Sequence, residues 1–82
     1  MEDLENIKAD LLVDCRGLSC PMPILRLKKE LKNMKAGQIV ELWSTDPGSK
    51  KDMPDFAEKQ GEKFLGYSDE AGYTRYLIKK GE

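Results

Sequence analysis

The chain has 82 residues, 35% charged and 39% hydrophobic, with 14 basic side chains against 15 acidic ones and no histidine. That is the size of one small domain. A formal net charge of −1 argues against a protein held on nucleic acid by bulk charge, and the lack of imidazole excludes histidine-based triads, histidine pH switches and histidine-containing zinc sites.

Residues 1–9 read as a flexible lead-in and residues 10–82 as a single domain. Leu11, Leu12 and Val13 form a compact apolar run closed by Asp14-Cys15-Arg16-Gly17, a short buried strand and a turn. After Cys20-Pro21-Met22-Pro23, the apolar residues Ile24, Leu27, Leu31 and Met34 follow at helical spacing. Leu25 widens that stripe, and Arg26, Lys28, Lys29, Lys32 and Lys35 cover the other side. Pro21 suits the first helical position and Pro23 the first turn, where a missing N–H costs little. Gly37 sits where the helix or its following turn ends.

Ile39 to Trp43 is a second strand, rich in β-branched and aromatic residues. Thr45-Asp46-Pro47-Gly48-Ser49 carries turn chemistry. The stripe Met53, Phe56, Ala57 and Gln60 predicts a second helix that becomes regular close to Asp52, after an irregular turn from Ser49, with Gly61 as its stop. Phe64–Tyr67 and Tyr73–Ile78 are two further strands joined across 68–72. The order β-α-β-α-β-β, with one apolar stripe per helix, predicts a two-layer α/β (α+β) sandwich: a mixed four-stranded sheet with both helices on one face.

Two cysteines, Cys15 and Cys20, are too few for a disulfide-stapled secreted scaffold or, within one chain, for a tetrahedral zinc shell. No metal and no cofactor is expected. No apolar run approaches the ~20 residues of a membrane helix, and the acidic start lacks a signal-peptide pattern. A reducing cytoplasm, away from any membrane, is the expected location.

The richest stretch is Asp14 to Pro23. Cys20 falls at or beside the N-cap of the first helix, where unpaired N–H groups and the positive end of the helix dipole favour a thiolate over a thiol. Cysteine is not a preferred N-cap residue. Arg16 is near in sequence and adds positive charge, and Pro21 and Pro23 stiffen the backbone that presents the sulfur. Cys15 is in phase with Leu11 and Val13 and reads first as a buried core residue, with a resolving thiol as its functional alternative. Without a histidine base, and with C-x4-C rather than C-x-x-C spacing, what remains is chemistry a thiolate performs alone: thiol–disulfide exchange, or carriage of a sulfane sulfur as a persulfide.

From Leu11 to Lys80 the chain resembles the TusA/SirA family of small sulfur-carrier proteins. The resemblance rests on Gly17-Leu18 before Cys20-Pro21-Met22-Pro23, which looks like the family's C-P-x-P motif. The helix of Ile24 to Met34, Gly37, Asp46-Pro47, Asp52-Met53-Pro54 and Arg75-Tyr76-Leu77-Ile78-Lys79-Lys80 add to it. It implies the β-α-β-α-β-β fold just derived. It implies that Cys20 accepts a persulfide sulfur from a cysteine desulfurase or a rhodanese and passes it to a cysteine on a DsrE-type partner. The sulfur then serves tRNA thiolation in some members, and sulfur oxidation or molybdenum-cofactor work in others. It further implies partner-docking roles for Asp46, in the loop after the second strand, and for Lys28 and Lys51, lysines where other members carry arginine. Cys15 departs from the one-cysteine pattern and resembles a subset associated with sulfur oxidation.

Two alternatives stand beside this reading. One is a non-catalytic binding or regulatory module using the basic helix. Such a module acts on RNA or on a signalling protein, and the net charge and the lack of an RNA-binding motif weigh against RNA, so direct nucleic-acid binding is not expected of the protein. The other is a thiol redox switch between Cys15 and Cys20. The aromatics Trp43, Tyr67, Tyr73 and Tyr76 read as sheet packing, with some of them exposed on the helix-free face.

Overall fold

The computed structural model describes residues 8–19 and 21–81. Of the expected lead-in, all but Lys8 and Ala9 lies outside the described residues. Six elements follow in the predicted order: β1 (Leu11–Cys15), α1 (Met22–Lys32), β2 (Ile39–Ser44), α2 (Ser49–Lys59), β3 (Lys63–Glu70) and β4 (Tyr73–Lys79). The sheet order is β1-β2-β4-β3. β1 and β2 pair in parallel through the α1 crossover, and β4 pairs antiparallel with both β2 and β3. No helix among the described residues is long and apolar enough to cross a membrane.

Strand alternation decides which side chains meet the helices. Val13 of β1, Val40 and Leu42 of β2, and Tyr76 and Ile78 of β4 share one face. They form the core with Leu27 and Leu31 of α1 and Met53 and Ala57 of α2. Leu27, Leu42, Met53 and Tyr76 are fully buried, and each such side chain is worth about 1.5–3 kcal/mol of transfer free energy. Both helices lie on this face, as the single stripes require.

The other face carries no helix and is finished by charge. Leu77 is buried there, between its cross-strand partners Glu41 and Gly66. Beside it Arg75 pairs with Glu41 at 2.9 Å, and the Trp43 indole N–H donates to Glu41 Oε2 at 2.6 Å. The stems of such long side chains can shield apolar groups while their charged ends stay near water.

Four local expectations are corrected. α1 starts at Met22, with Pro21 as its N-cap rather than its first helical residue. The ladder begins at the Pro21 carbonyl, which accepts from Leu25 N–H at 3.0 Å, and Pro23 occupies the first turn. Leu25 does not widen the apolar stripe: it is 52% exposed. α2 starts at Ser49, three residues before the expected point, and holds Pro54 inside it. The proline removes only one ladder bond, the one to the Lys50 carbonyl. Burial of Ser49, whose hydroxyl lies 3.0 Å from that of Ser44, keeps the earlier turn in place. β3 and β4 both run longer than expected, so the hairpin shrinks to Ala71-Gly72, with Gly72 at a φ of 84° and a bulge between Phe64 and Gly66.

Candidate functional site

The segment joining β1 to α1 is anchored one residue at a time. Arg16 N–H donates to Asp14 Oδ1 at 3.1 Å, Gly17 N–H to Thr45 Oγ1 at 2.9 Å, and Leu18 N–H to the Cys15 carbonyl at 3.1 Å. Gly17 takes a φ of 83°, which a side chain would resist. Met22 N–H then donates to the Ser19 carbonyl at 2.9 Å. Cys20, the expected nucleophile, lies outside the described residues. Its sequence neighbours Ser19 and Pro21 are exposed, as are Met22 and Leu25 on the first turns of α1.

Arg16 does not run toward the helices. Its Nε and a terminal nitrogen donate to the two Asp14 carboxylate oxygens at 2.9 and 2.8 Å. Its guanidinium lies 4.7 Å from the Trp43 ring centre and 5.5 Å from that of Tyr73. These two rings are themselves 4.9 Å apart. The hydrogen bonds hold the Asp14 carboxyl below its ordinary value and the Arg16 guanidinium above its own. Asp14, Trp43 and Tyr73 escaped the sequence reading as site residues. The β1–β2 register sets Asp14 opposite Trp43, and the β2–β4 pairing brings β4, which Tyr73 opens, alongside β2.

Cys15 is fully buried and unpaired, in phase with Val13. Burial pushes its thiol up; Arg26 draws it back in part and Asp14 adds to the rise. A thiol so placed is a poor nucleophile at neutral pH. Asp46 sits in the β2–α2 loop, its N–H donating to Ser44 Oγ at 3.1 Å and its carboxylate accepting from Gly48 N–H at 3.4 Å. With Thr45, Lys50, Asp69 and Tyr73 it lines a cleft of about 420 Å³. Lys28 and Lys51 are exposed on α1 and α2.

The groove beside Pro21 takes neither lysine. It is formed by Pro21, Ile24, Asp52, Asp55, Phe56 and Lys59 between the two helices, with a volume of about 340 Å³. Its acidic residues come from the first turns of α2.

The family model described as Sulfurtransferase TusA matches residues 12–80. Among similar proteins, the sulfur carrier protein TusA of Allochromatium vinosum is 45% identical over 71 residues, covering 87% of this chain and 93% of that one. The putative sulfur carrier protein YrkI of Bacillus subtilis is 39% identical and is covered over its full length, with 92% of this chain aligned. YrkF of the same organism, also a putative sulfur carrier protein, is 40% identical, and this chain spans only 40% of its length. The crystal structure of a SirA-like protein from Desulfitobacterium hafniense superposes with a TM-score of 0.77 at 28% identity, over 88% of this chain and 99% of that one. With residues 12–80 matched by the family model, the Allochromatium and YrkI relatives covered over most of their length, and the fold shared with a SirA-like structure, the chain belongs to the TusA sulfurtransferase family.

Proposed function

We propose that this protein is a sulfur carrier whose nucleophile is Cys20. The observation that carries the reading is the place of Cys20 in the sequence, after the first parallel strand and directly before Pro21, the N-cap of α1, in a chain of this family. In the loading step the Cys20 thiolate attacks the terminal sulfur of a donor persulfide. The donor's S–S bond breaks and a new one forms on Cys20. The donor leaves as a thiolate, so no net oxidation or reduction occurs. A partner thiolate then takes the terminal sulfur from Cys20 in the same way. The helix N-terminus favours the anionic forms that alternate on this sulfur.

The donor is a cysteine desulfurase or a rhodanese and the acceptor a DsrE-type protein, with tRNA thiolation or sulfur oxidation downstream, all in the cytoplasm. Pro21 and Pro23 stiffen the presenting turn, Arg16 supports it, and Lys28, Lys51 and Asp46 contact partners. Cys15 stays protonated in the core, which keeps it from attacking a Cys20 persulfide and releasing sulfide.

Intact-protein mass spectrometry after incubation with a persulfide donor tests this. The expected result is a gain of one sulfur atom, removed by reductant, retained in Cys15→Ser and lost in Cys20→Ser. Equal loading of Cys20→Ser ends the proposal. A two-hydrogen mass loss needing both cysteines supports the redox switch instead.

A further inference from the structure

We infer that Arg16 acts on the Cys20 segment as a planar clamp rather than as a charge, with Asp14, Trp43 and Tyr73 as its partners and the Thr45 hydroxyl holding the next residue, Gly17. The sulfur-transfer arm of the test rests on the carrier reading above; the clamp itself does not.

The geometry points this way on three counts. First, the Arg16 charge is already met. Both Asp14 carboxylate oxygens accept from its guanidinium, at 2.9 and 2.8 Å, so the pair presents little net field to anything further away. Second, the site it occupies selects a plane. Trp43 and Tyr73 lie 4.9 Å apart and form a dish on the helix-free face, and the guanidinium rests over both rings. A guanidinium donates in a fork and stacks on rings at once; an ammonium cannot do both.

Third, the backbone beyond Arg16 is tied down in step with it. The N–H groups of Arg16, Gly17 and Leu18 go to three different acceptors: Asp14 Oδ1, Thr45 Oγ1 and the Cys15 carbonyl. Leu18 packs against the core. Cys20 comes two residues later in the sequence. Thr45 also precedes Asp46, so one hydrogen bond joins the cysteine-bearing segment to the loop that carries the acidic docking residue. Sheet register and side-chain stacking on one face thereby fix where the chain sets out toward the nucleophile. Misplacing a reacting group by 1 Å costs on the order of 100-fold in rate, so a clamp of this kind has a measurable effect on transfer.

The test compares Arg16→Lys, Asp14→Asn, Thr45→Val and Thr45→Ser with the wild type in the full chain. Two rates are read by intact mass at one pH, with Cys20→Ser as the blank: alkylation by iodoacetamide, and sulfur uptake from a persulfide donor. Thermal melting is followed in parallel. The expected result is that Arg16→Lys slows both rates about tenfold although the charge is kept, within the range that misplacement allows. Thr45→Val slows them similarly, and Thr45→Ser, which restores the acceptor, recovers them. Asp14→Asn slows them too, although it leaves the Arg16 charge uncompensated.

A charge mechanism gives the opposite pattern: wild-type rates in Arg16→Lys and equal or faster rates in Asp14→Asn. That pattern overturns the clamp. So does a fall in rate that follows melting temperature across all four variants, with no recovery in Thr45→Ser. Should the wild type alkylate at Cys20 yet take up no sulfur, the carrier reading fails while the alkylation series still decides the clamp.

Discussion

Cys15 and Ser44 stand opposite each other in the parallel register of β1 and β2, and both are buried. The row continues across the sheet through Thr74 of β4 to Asp69 of β3, which accepts from the Thr74 hydroxyl at 3.0 Å. A polar row thus closes the end of the core nearest the β1–α1 and β2–α2 segments. Cys15 is its least polar member, and burial, the main cause, holds its thiol in the protonated form. Native alkylation at neutral pH is therefore expected to add one group to the protein, and alkylation in denaturant two. Two adducts formed together in the native state would show that Cys15 reaches solvent, and would remove the argument that its burial protects a Cys20 persulfide.

Tyr76 occupies the next row inward and is fully buried, and among the described residues its hydroxyl makes no hydrogen bond of good geometry, Thr74 offering only a weaker polar contact. An unmet buried polar group costs about 1–3 kcal/mol, so Tyr76→Phe is expected to stabilise the fold by about 1 kcal/mol. Its pH behaviour gives an independent check. Burial pushes the phenol up from 10.0 to about 12, with Thr74 offsetting part of the rise. A value raised in the folded state contributes stability that is intact below the unfolded value and is lost as pH rises through the folded one. The wild type should lose stability from near pH 10 upward, and Tyr76→Phe should lose less. Urea midpoints at pH 8 and about pH 11 decide the matter; parallel losses in the two proteins would count against the assignment.

Element order, sheet type and helix placement were legible because they follow from short-range periodicity. Leu11, Val13 and Cys15 alternate as a half-buried strand, and Leu27 and Leu31 repeat as a helical stripe. What escaped depends on contacts between distant segments. The start of α2 rests on Ser49 meeting Ser44, which no local pattern around Pro54 encodes. Leu25 belongs to the α1 sequence pattern but lies beyond the reach of the core. The side to which Arg16 turns is set by Asp14 facing Trp43, a matter of register between two strands. Cys20 was legible as a motif residue, through its prolines and its place before a helix. The groove of Asp52, Asp55 and Phe56 beside Pro21 became visible only with the packing of α1 on α2.

Leu25 and Leu27 of α1 separate core from surface within one helical turn. Leu27 is fully buried and Leu25 is 52% exposed. Leu27→Ala removes buried methyl groups and leaves a cavity, at a cost of about 2–5 kcal/mol. Leu25→Ala is expected to change stability by no more than ~0.5 kcal/mol. Denaturant titration of both variants measures this directly. Because Leu25 is exposed and close in sequence to Cys20, the proposed nucleophile, its replacement is also expected to weaken partner-dependent sulfur transfer while leaving the melting curve in place. A large stability loss in Leu25→Ala would instead put that side chain in the core.

Glu41 and Arg75 form the ion pair that covers Leu77, at 2.9 Å and with each side chain only about one-sixth exposed: 15% for Glu41 and 16% for Arg75. The Arg75 hydrogen bond is the main cause that holds the Glu41 carboxyl below its ordinary 4.5; burial opposes it, and the Trp43 indole N–H adds to the lowering. A carboxyl lowered in the folded state contributes stability that is complete above the unfolded value and drains away as pH falls through the folded one. Glu41→Gln keeps an oxygen for Trp43 and loses the charge. It should be less stable than the wild type by about 1 kcal/mol at pH 7, since a partly shielded pair is worth more than an exposed one. As pH falls below about 4.5 the wild-type carboxyl takes up its proton, and the two proteins should converge. The exposed carboxylates Asp14 and Asp69 titrate in both proteins and cancel in the difference. Urea unfolding of the pair at pH 7 and near pH 3 reads the effect. A gap that stays the same at both pH values would mean that Glu41 contributes through packing over Leu77 and not through its charge.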